Sequence, residues 1–245
     1  KQMESQPIPT IRSVGLGWLY SQLLAIDNEI EGAINAKDIE HIHRMRVASR
    51  RGRVIFRIFE EDFPRKARVI WKKQIKNITR ALGAARDTDV QLVFLEEMIS
   101  QAPKKAVQGL RRIHLRLTQK RKELQFDVIK ELTNFKDSNI LQNVAKNLEG
   151  IETDQLTTFS SDLYVKAYES IMMGIGDTLQ WDEYIQLPEN VRELHALRIS
   201  IKWLRYTLET FSPIYQIDYR NNIKILKNIQ DTLGIIHDCD MWFEH

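Results

Sequence analysis

The chain reads as an all-α protein, and three observations predict it. Glycine and proline are sparse, 10 and 6 in 245 residues. Apolar residues recur at helical spacing along most of the length, while the alternation expected of half-buried strands is nearly absent. Two blocks also recur in order. HRMRVASRRGR (His43 to Arg53) returns as HALRISIKWLR (His195 to Arg205), and KNITRALGAARDTDV (Lys76 to Val90) returns as KNIQDTLGIIHDCDM (Lys227 to Met241). The offsets are 152 and 151 residues, so a helical unit is used twice.

Taken in order, residues 1–9 form a lead-in with two prolines, followed by a helix over about 11–36 with Trp18, Leu19, Leu23, Ile26 and Ile30 as its core face. Asp38 is placed to cap the first repeat helix, about 39–60. Pro64 opens the next, which runs to Leu82 with Gly83 as its C-cap. Asp87 then caps a helix to about Ser100. A long helix follows over about 104–133, with Leu110, Ile113, Leu117, Leu124 and Val128 as its apolar stripe. Arg121 interrupts that stripe, and of two readings, inward toward the cationic site or snorkelling to water, snorkelling is the expected outcome. Lys105, Arg111, Arg112, Arg116 and Lys120 scatter around the axis and are not counted as a site. A shorter helix over about 138–149 ends at Gly150.

The second half repeats the scheme. A helix over about 155–180 corresponds to the first, and Pro188 introduces the second repeat helix, about 189–212. Pro213 stands near the place of Pro64, a helix over about 218–233 ends at Gly234, and Asp238 begins another.

The repeated blocks carry the chemistry. At about 100° per residue, His43, Arg46, Arg50, Arg53 and Arg57 fall within about 80° of one another. Met45, Ala48, Phe56 and Phe59 fall on the opposite side. In the second copy His195, Arg198, Lys202 and Arg205 oppose Leu197, Leu204, Leu208 and Phe211. The following helix sets Lys73, Lys76 and Arg80 against Trp71, Ile75, Ile78 and Leu82. Its second copy sets Lys224 and Lys227 against Leu226, Ile229 and Leu233. A solvated face normally mixes charge signs in i,i+4 pairs, whereas like charges such as Arg46 and Arg50 at that spacing cost stability. A cost taken twice at matched positions implies an anionic ligand that relieves it. Arginine suits bidentate oxyanion contact better than lysine does.

The net charge of +3 hides the pattern. From Arg44 to Arg86 there are 14 Lys or Arg and 3 Asp or Glu, a local balance of +11 that draws polyanions. A single cysteine, Cys239, excludes an internal disulfide, fits a reducing compartment, and reads as a small buried residue. No apolar run approaches the roughly 18 residues of a membrane span, and no secretory signal opens the chain, so no membrane partner is expected.

The doubled H-x-x-R-[VI]-x-x-[RK]-x-x-R, followed by L-G-x-x-R-D-x-D-V, resembles the CHAD domain, the conserved histidine α-helical domain. The resemblance spans almost the whole chain. It implies a single domain over 1–245 built of two pseudo-twofold-related four-helix bundles, about 10–152 and 153–245, around a central basic cleft. It implies that inorganic polyphosphate is the ligand and that the setting is cytoplasmic, at polyphosphate granules or in fusion with a triphosphate tunnel domain. The binding residues it carries over are His43, Arg46, Arg50, Arg53, Lys73, Lys76, Arg80 and Arg86 in the first half. In the second they are His195, Arg198, Lys202, Arg205, Lys224, Lys227 and His237. Asp231 stands where Arg80 stands in the first copy, and His237 where Arg86 stands, so the second half is weaker in charge. The first half adds about 60 residues after D-x-D and the second almost none, so the second bundle is expected to be incomplete as the chain stands.

No cofactor and no enzymatic activity are expected. A metal-dependent phosphohydrolase built on His43, His195, His237, Asp238 and Asp240 is the enzymatic alternative, disfavoured because arginines between the histidines repel a cation. Nucleic acid is a second alternative, disfavoured by few interleaved aromatics. Trp203 and Tyr206 flank the second stripe but are expected to pack against neighbouring helices. A helical scaffold would leave the doubled cationic stripe unexplained. His41, His114 and His245 have no repeat partner and receive no role. His43 and His195 should stay neutral in a free cationic site and gain a proton beside phosphate.

Overall fold

Nine α-helices are seen among residues 10–35, 38–148, 159–187, 189–215 and 218–243, which are those the computed structural model describes, excepting the side chains of 238 and 240–243. The lead-in at 1–9, Gly150, Pro188 and His245 lie outside them. No strand occurs among the described residues. The helices are α1 (Ile11–Asp27), α2 (Ile30–Asn35), α3 (Ile39–Phe59), α4 (Arg65–Gln101), α5 (Lys104–Asp137), α6 (Ile140–Lys146), α7 (Ser161–Leu179), α8 (Val191–Phe211) and α9 (Arg220–Phe243). They divide into two compact units, Gly15–Ile151 and Lys1–Val14 with Glu152–His245.

In the unit of Gly15–Ile151, α3 packs on α4 and α4 on α5. The predicted backs are the core: Met45, Ala48, Phe56 and Phe59 of α3 are buried, as are Trp71, Ile75, Ile78 and Leu82 of α4. Leu19, Leu23, Ile26 and Ile30 are buried as expected, and Trp18 is half-buried with its ring 5.8 Å from that of Phe59. A Cβ on Gly15 would stand 2.6 Å from the Phe59 ring, so α1 can approach α3 this closely only with glycine there.

The caps explain most boundaries. The Asp38 carboxylate accepts from the Glu40 amide at 2.8 Å and starts α3. Pro64 precedes α4 and Pro103 precedes α5, where a missing N–H costs nothing. Asn139, at φ 50°, separates α5 from α6. The Asp218 carboxylate accepts from the Arg220 amide at 3.0 Å ahead of α9, and the Arg220 guanidinium holds its pKa down at about 2.

Two expectations are corrected. The single helix over 11–36 is α1 and α2, broken at Asn28 and Glu29. Tertiary contacts win over the local pattern there, because the Glu29 carboxylate is taken by Arg44 at 2.7 Å and by His41 at 2.6 Å. More consequentially, Gly83 and Gly234 do not end helices. α4 runs unbroken through Gly83 and Asp87, and α9 through Gly234 and Asp238. A glycine inside a helix costs about 1 kcal/mol relative to alanine. In α4 the buried row Trp71, Ile75, Ile78, Leu82 and Ala85 outweighs that cost.

In the other unit α7 packs on α8 and α8 on α9. Leu194, Leu197, Ile201 and Leu233 form one buried cluster, with Trp181 and Leu226 packed against it. Tyr206 is buried and Trp203 half-buried. Ile229, expected behind the cations of α9, is exposed, as is Ile113 of the α5 stripe. Cys239 is also exposed rather than buried.

Candidate functional site: two cationic helix pairs

In each unit the H-x-x-R helix lies against the helix carrying L-G, and the repeat arginine reaches the glycine. Arg46 Nη1 donates to the Gly83 carbonyl at 2.9 Å and to the Asp87 carboxylate at 2.7 Å. Arg198 lies against Gly234, with Nε and Nη2 each 3.7 Å from where a Cβ would stand. The Arg46 side chain keeps only 15% of its surface exposed. Gly83 and Asp87 are one helical turn apart, so a single guanidinium spans both. That spacing was visible in the sequence, but reading Asp87 as a cap concealed it.

On α3, His43 and Arg50 are half-buried and Arg53 and Arg57 exposed. Although the Arg53 side chain reaches solvent, desolvation by the atoms around it, and then the charge of Arg50, push its pKa below the ordinary arginine value. On α4, Lys73, Lys76 and Arg80 are exposed along the front and Arg86 is half-buried.

The α8–α9 pair differs in its chemistry. His195 and His237 stand with ring centroids 4.5 Å apart at 46°. His195 Nδ1 and Arg198 Nε are both buried, and neither has a hydrogen-bond partner among the described residues. Burial, then the charges of His237, Arg198 and Lys202, hold the His195 pKa below the ordinary histidine value. A buried donor without a partner costs on the order of 1–3 kcal/mol, and an oxyanion placed there would recover it. Lys224 and Lys227 are exposed on α9. Arg205 is drawn away from this cluster. It donates to Glu209 at 3.0 Å and Gln230 at 3.2 Å and lies 4.4 Å above the Tyr206 ring. The structure thus groups His195, Arg198, Lys202 and His237, and gives Arg205 partners within its own unit.

Arg121 neither snorkels nor joins the cationic front. Its Nε donates to Asp89 at 2.6 Å, and its Nη1 to Gln125 at 3.0 Å. Gln125 in turn donates to the Ala33 carbonyl at 2.8 Å, tying α5 to α2. The side chains of Asp238 and Asp240, repeat mates of Asp87 and Asp89, lie outside the described residues. The Glu29–His41–Arg44 cluster and the His114–Glu96 pair were not foreseen, because they join helices that periodicity does not align.

The CHAD domain family model matches residues 18–245. The fold is similar to a crystal structure of the CHAD domain from the plant Ricinus communis, with a TM-score of 0.72 at 22% sequence identity. That match covers 96% of this chain and 77% of the plant chain. Comparison with curated proteins finds no match. No helix among the described residues is long and apolar enough to cross a membrane. With the motif, the helical fold and the family match in agreement, this chain belongs to the CHAD domain family.

Proposed function

We propose that this domain binds inorganic polyphosphate through the cationic fronts of α3–α4 and α8–α9, without turning it over. The observation that carries the reading is the buried His195 Nδ1 and the buried Arg198 Nε, neither with a hydrogen-bond partner among the described residues, beside His237 and Lys202. A phosphate oxygen supplies both the missing acceptor and the missing negative charge. In one unit the exposed Lys73 and Lys76 then serve as point charges and Arg80 as a two-donor contact, and in the other Lys224 and Lys227 serve as point charges.

An exposed ion pair contributes only about 0–1 kcal/mol, so affinity rests on many contacts and on counterion release. By analogy with nucleic acids, each neutralised phosphate adds about −0.7 to −0.9 to the log–log salt slope, so seven contacts give a slope of about −5 to −6. The single cysteine fits a cytoplasmic setting at polyphosphate stores.

Filter binding of labelled long-chain polyphosphate at two salt concentrations, with duplex DNA as competitor, tests this reading. Binding that weakens steeply with salt and resists DNA supports it. Equal competition by DNA would reduce the fronts to a general polyanion patch. Phosphate release on adding divalent metal would establish turnover instead.

A further inference from the structure

We infer that the free end of the α4–α5 hairpin is a docking surface for an anionic lipid membrane. The hairpin outruns its own core. Its buried ion pair, Asp89 with Arg121, sits well short of the turn at Ala102 and Pro103. From residue 90 to residue 120, Leu95 is the only buried residue. Twelve residues of α4 beyond Asp89 extend about 18 Å at 1.5 Å per residue.

Cations outnumber acids at this end: α4 contributes the exposed Glu96 and Glu97, Glu96 lying 3.3 Å from His114, and α5 contributes the cations. Residues 104–122 of α5 contain eight Lys or Arg and no Asp or Glu. All but Arg121 are exposed. Scatter around the axis argues against a site on a helix packed along its length. It does not do so here, where only the stripe through Val107, Leu110, His114 and Leu117 is partly covered and the rest of the helix surface meets solvent. The same end also exposes aliphatic surface. Val90, Val93 and Met98 project from α4, Val93 with 54% of its surface exposed. On α5, Leu115 is 59% exposed and stands in sequence between Arg112 and Arg116.

Cations alone would suit polyphosphate or nucleic acid, neither of which rewards exposed valine and leucine. Stacking on bases requires aromatic rings, and Phe94 is the only Phe, Tyr or Trp between 90 and 122. Peripheral binding to an anionic bilayer uses both features, cations at the headgroups and aliphatic side chains just below them. It requires no membrane-spanning helix. This inference stands apart from the polyphosphate reading and uses none of its residues.

The test is co-sedimentation of the chain with phosphatidylcholine vesicles, with and without phosphatidylglycerol. Two variants are compared, Arg111→Ala/Arg112→Ala/Arg116→Ala and Val93→Ser/Leu115→Ser. All five positions are exposed or lie outside the core, so both variants should fold. Binding should require phosphatidylglycerol. At about fivefold per cation, the arginine variant should bind on the order of a hundredfold more weakly. The serine variant should bind several-fold more weakly at unchanged charge. Failure of the wild type to bind anionic vesicles overturns the proposal. So does a serine variant that binds like wild type, which would make this end a polyanion patch for RNA or polyphosphate.

Discussion

The Arg198 guanidinium lies against Gly234, its Nε and Nη2 each 3.7 Å from the position a Cβ would take. Arg46 meets the matching glycine of α4 in another way, by a 2.9 Å hydrogen bond to the Gly83 carbonyl, and a Cβ at 83 would meet nothing within 4 Å. The repeat is therefore a repeat of contact as well as of sequence. Alanine at 234 would make ordinary van der Waals contact, and replacing a mid-helix glycine gains about 0.5–1 kcal/mol. We expect Gly234→Ala to raise the urea midpoint while weakening polyphosphate binding several-fold, because the new methyl stands beside the arginine donor.

The paired histidines predict a pH dependence. The folded pKa of His195 lies below its unfolded value of about 6.5, so the unfolded chain takes up the proton first. Stability from this group is complete above about pH 7 and is lost as pH falls through 6.5 toward the folded pKa. A bound phosphate reverses the shift, so affinity should rise over the same interval. Thermal melts and titrations at pH 7.5 and 5.5 should show both trends, and His195→Gln should flatten both.

Arg46 serves the fold as well as the cationic front. Its guanidinium is mostly buried, whereas Asp87 keeps 67% of its side chain exposed. The bond to the Gly83 carbonyl should therefore outweigh the solvent-screened ion pair. Urea denaturation should show Arg46→Ala losing about 1–2 kcal/mol and Asp87→Ala less than about 1 kcal/mol.

The Asp89–Arg121 pair holds α4 to α5 from inside. Asp89 is only 5% exposed, and its second carboxylate oxygen is buried without a hydrogen-bond partner among the described residues. Removing the arginine strands a buried charge, at a cost of about 3–5 kcal/mol. Arg121→Met should fall in that range. The double variant Asp89→Leu/Arg121→Met should recover most of the loss, since two apolar side chains need no partners. A purely additive double variant would contradict this account.

Helix identity and the buried backs of α3, α4 and α8 were legible in the sequence, because apolar spacing records packing directly. Trp71, Ile75, Ile78 and Leu82 lie where periodicity puts them. The ends of α4 were not legible. Gly83 and Asp87 carry stop and start signals, and only the partner arginine on α3 shows that they sit inside one helix. The same holds at the site. Sequence spacing put His195, Arg198 and Lys202 on one stripe, and the structure adds His237 to them from another helix. It could not show that Arg205 is held by Glu209 and Gln230, because Gln230 lies on a different helix. Arg121 illustrates the limit best. Its place in the apolar stripe was readable, but snorkelling was the expected outcome, and its inward destination depends on Asp89, 32 residues away.

The central claim is that the His195–Arg198 cluster seats a phosphate group. Calorimetric titration of polyphosphate into the wild type and into His195→Gln/Arg198→Gln, at pH 6 and moderate salt, tests it most directly. The account predicts that the variant keeps its fold but binds at least tenfold more weakly, with less proton uptake on binding than the wild type. Equal affinity and equal proton uptake in the two proteins would contradict it.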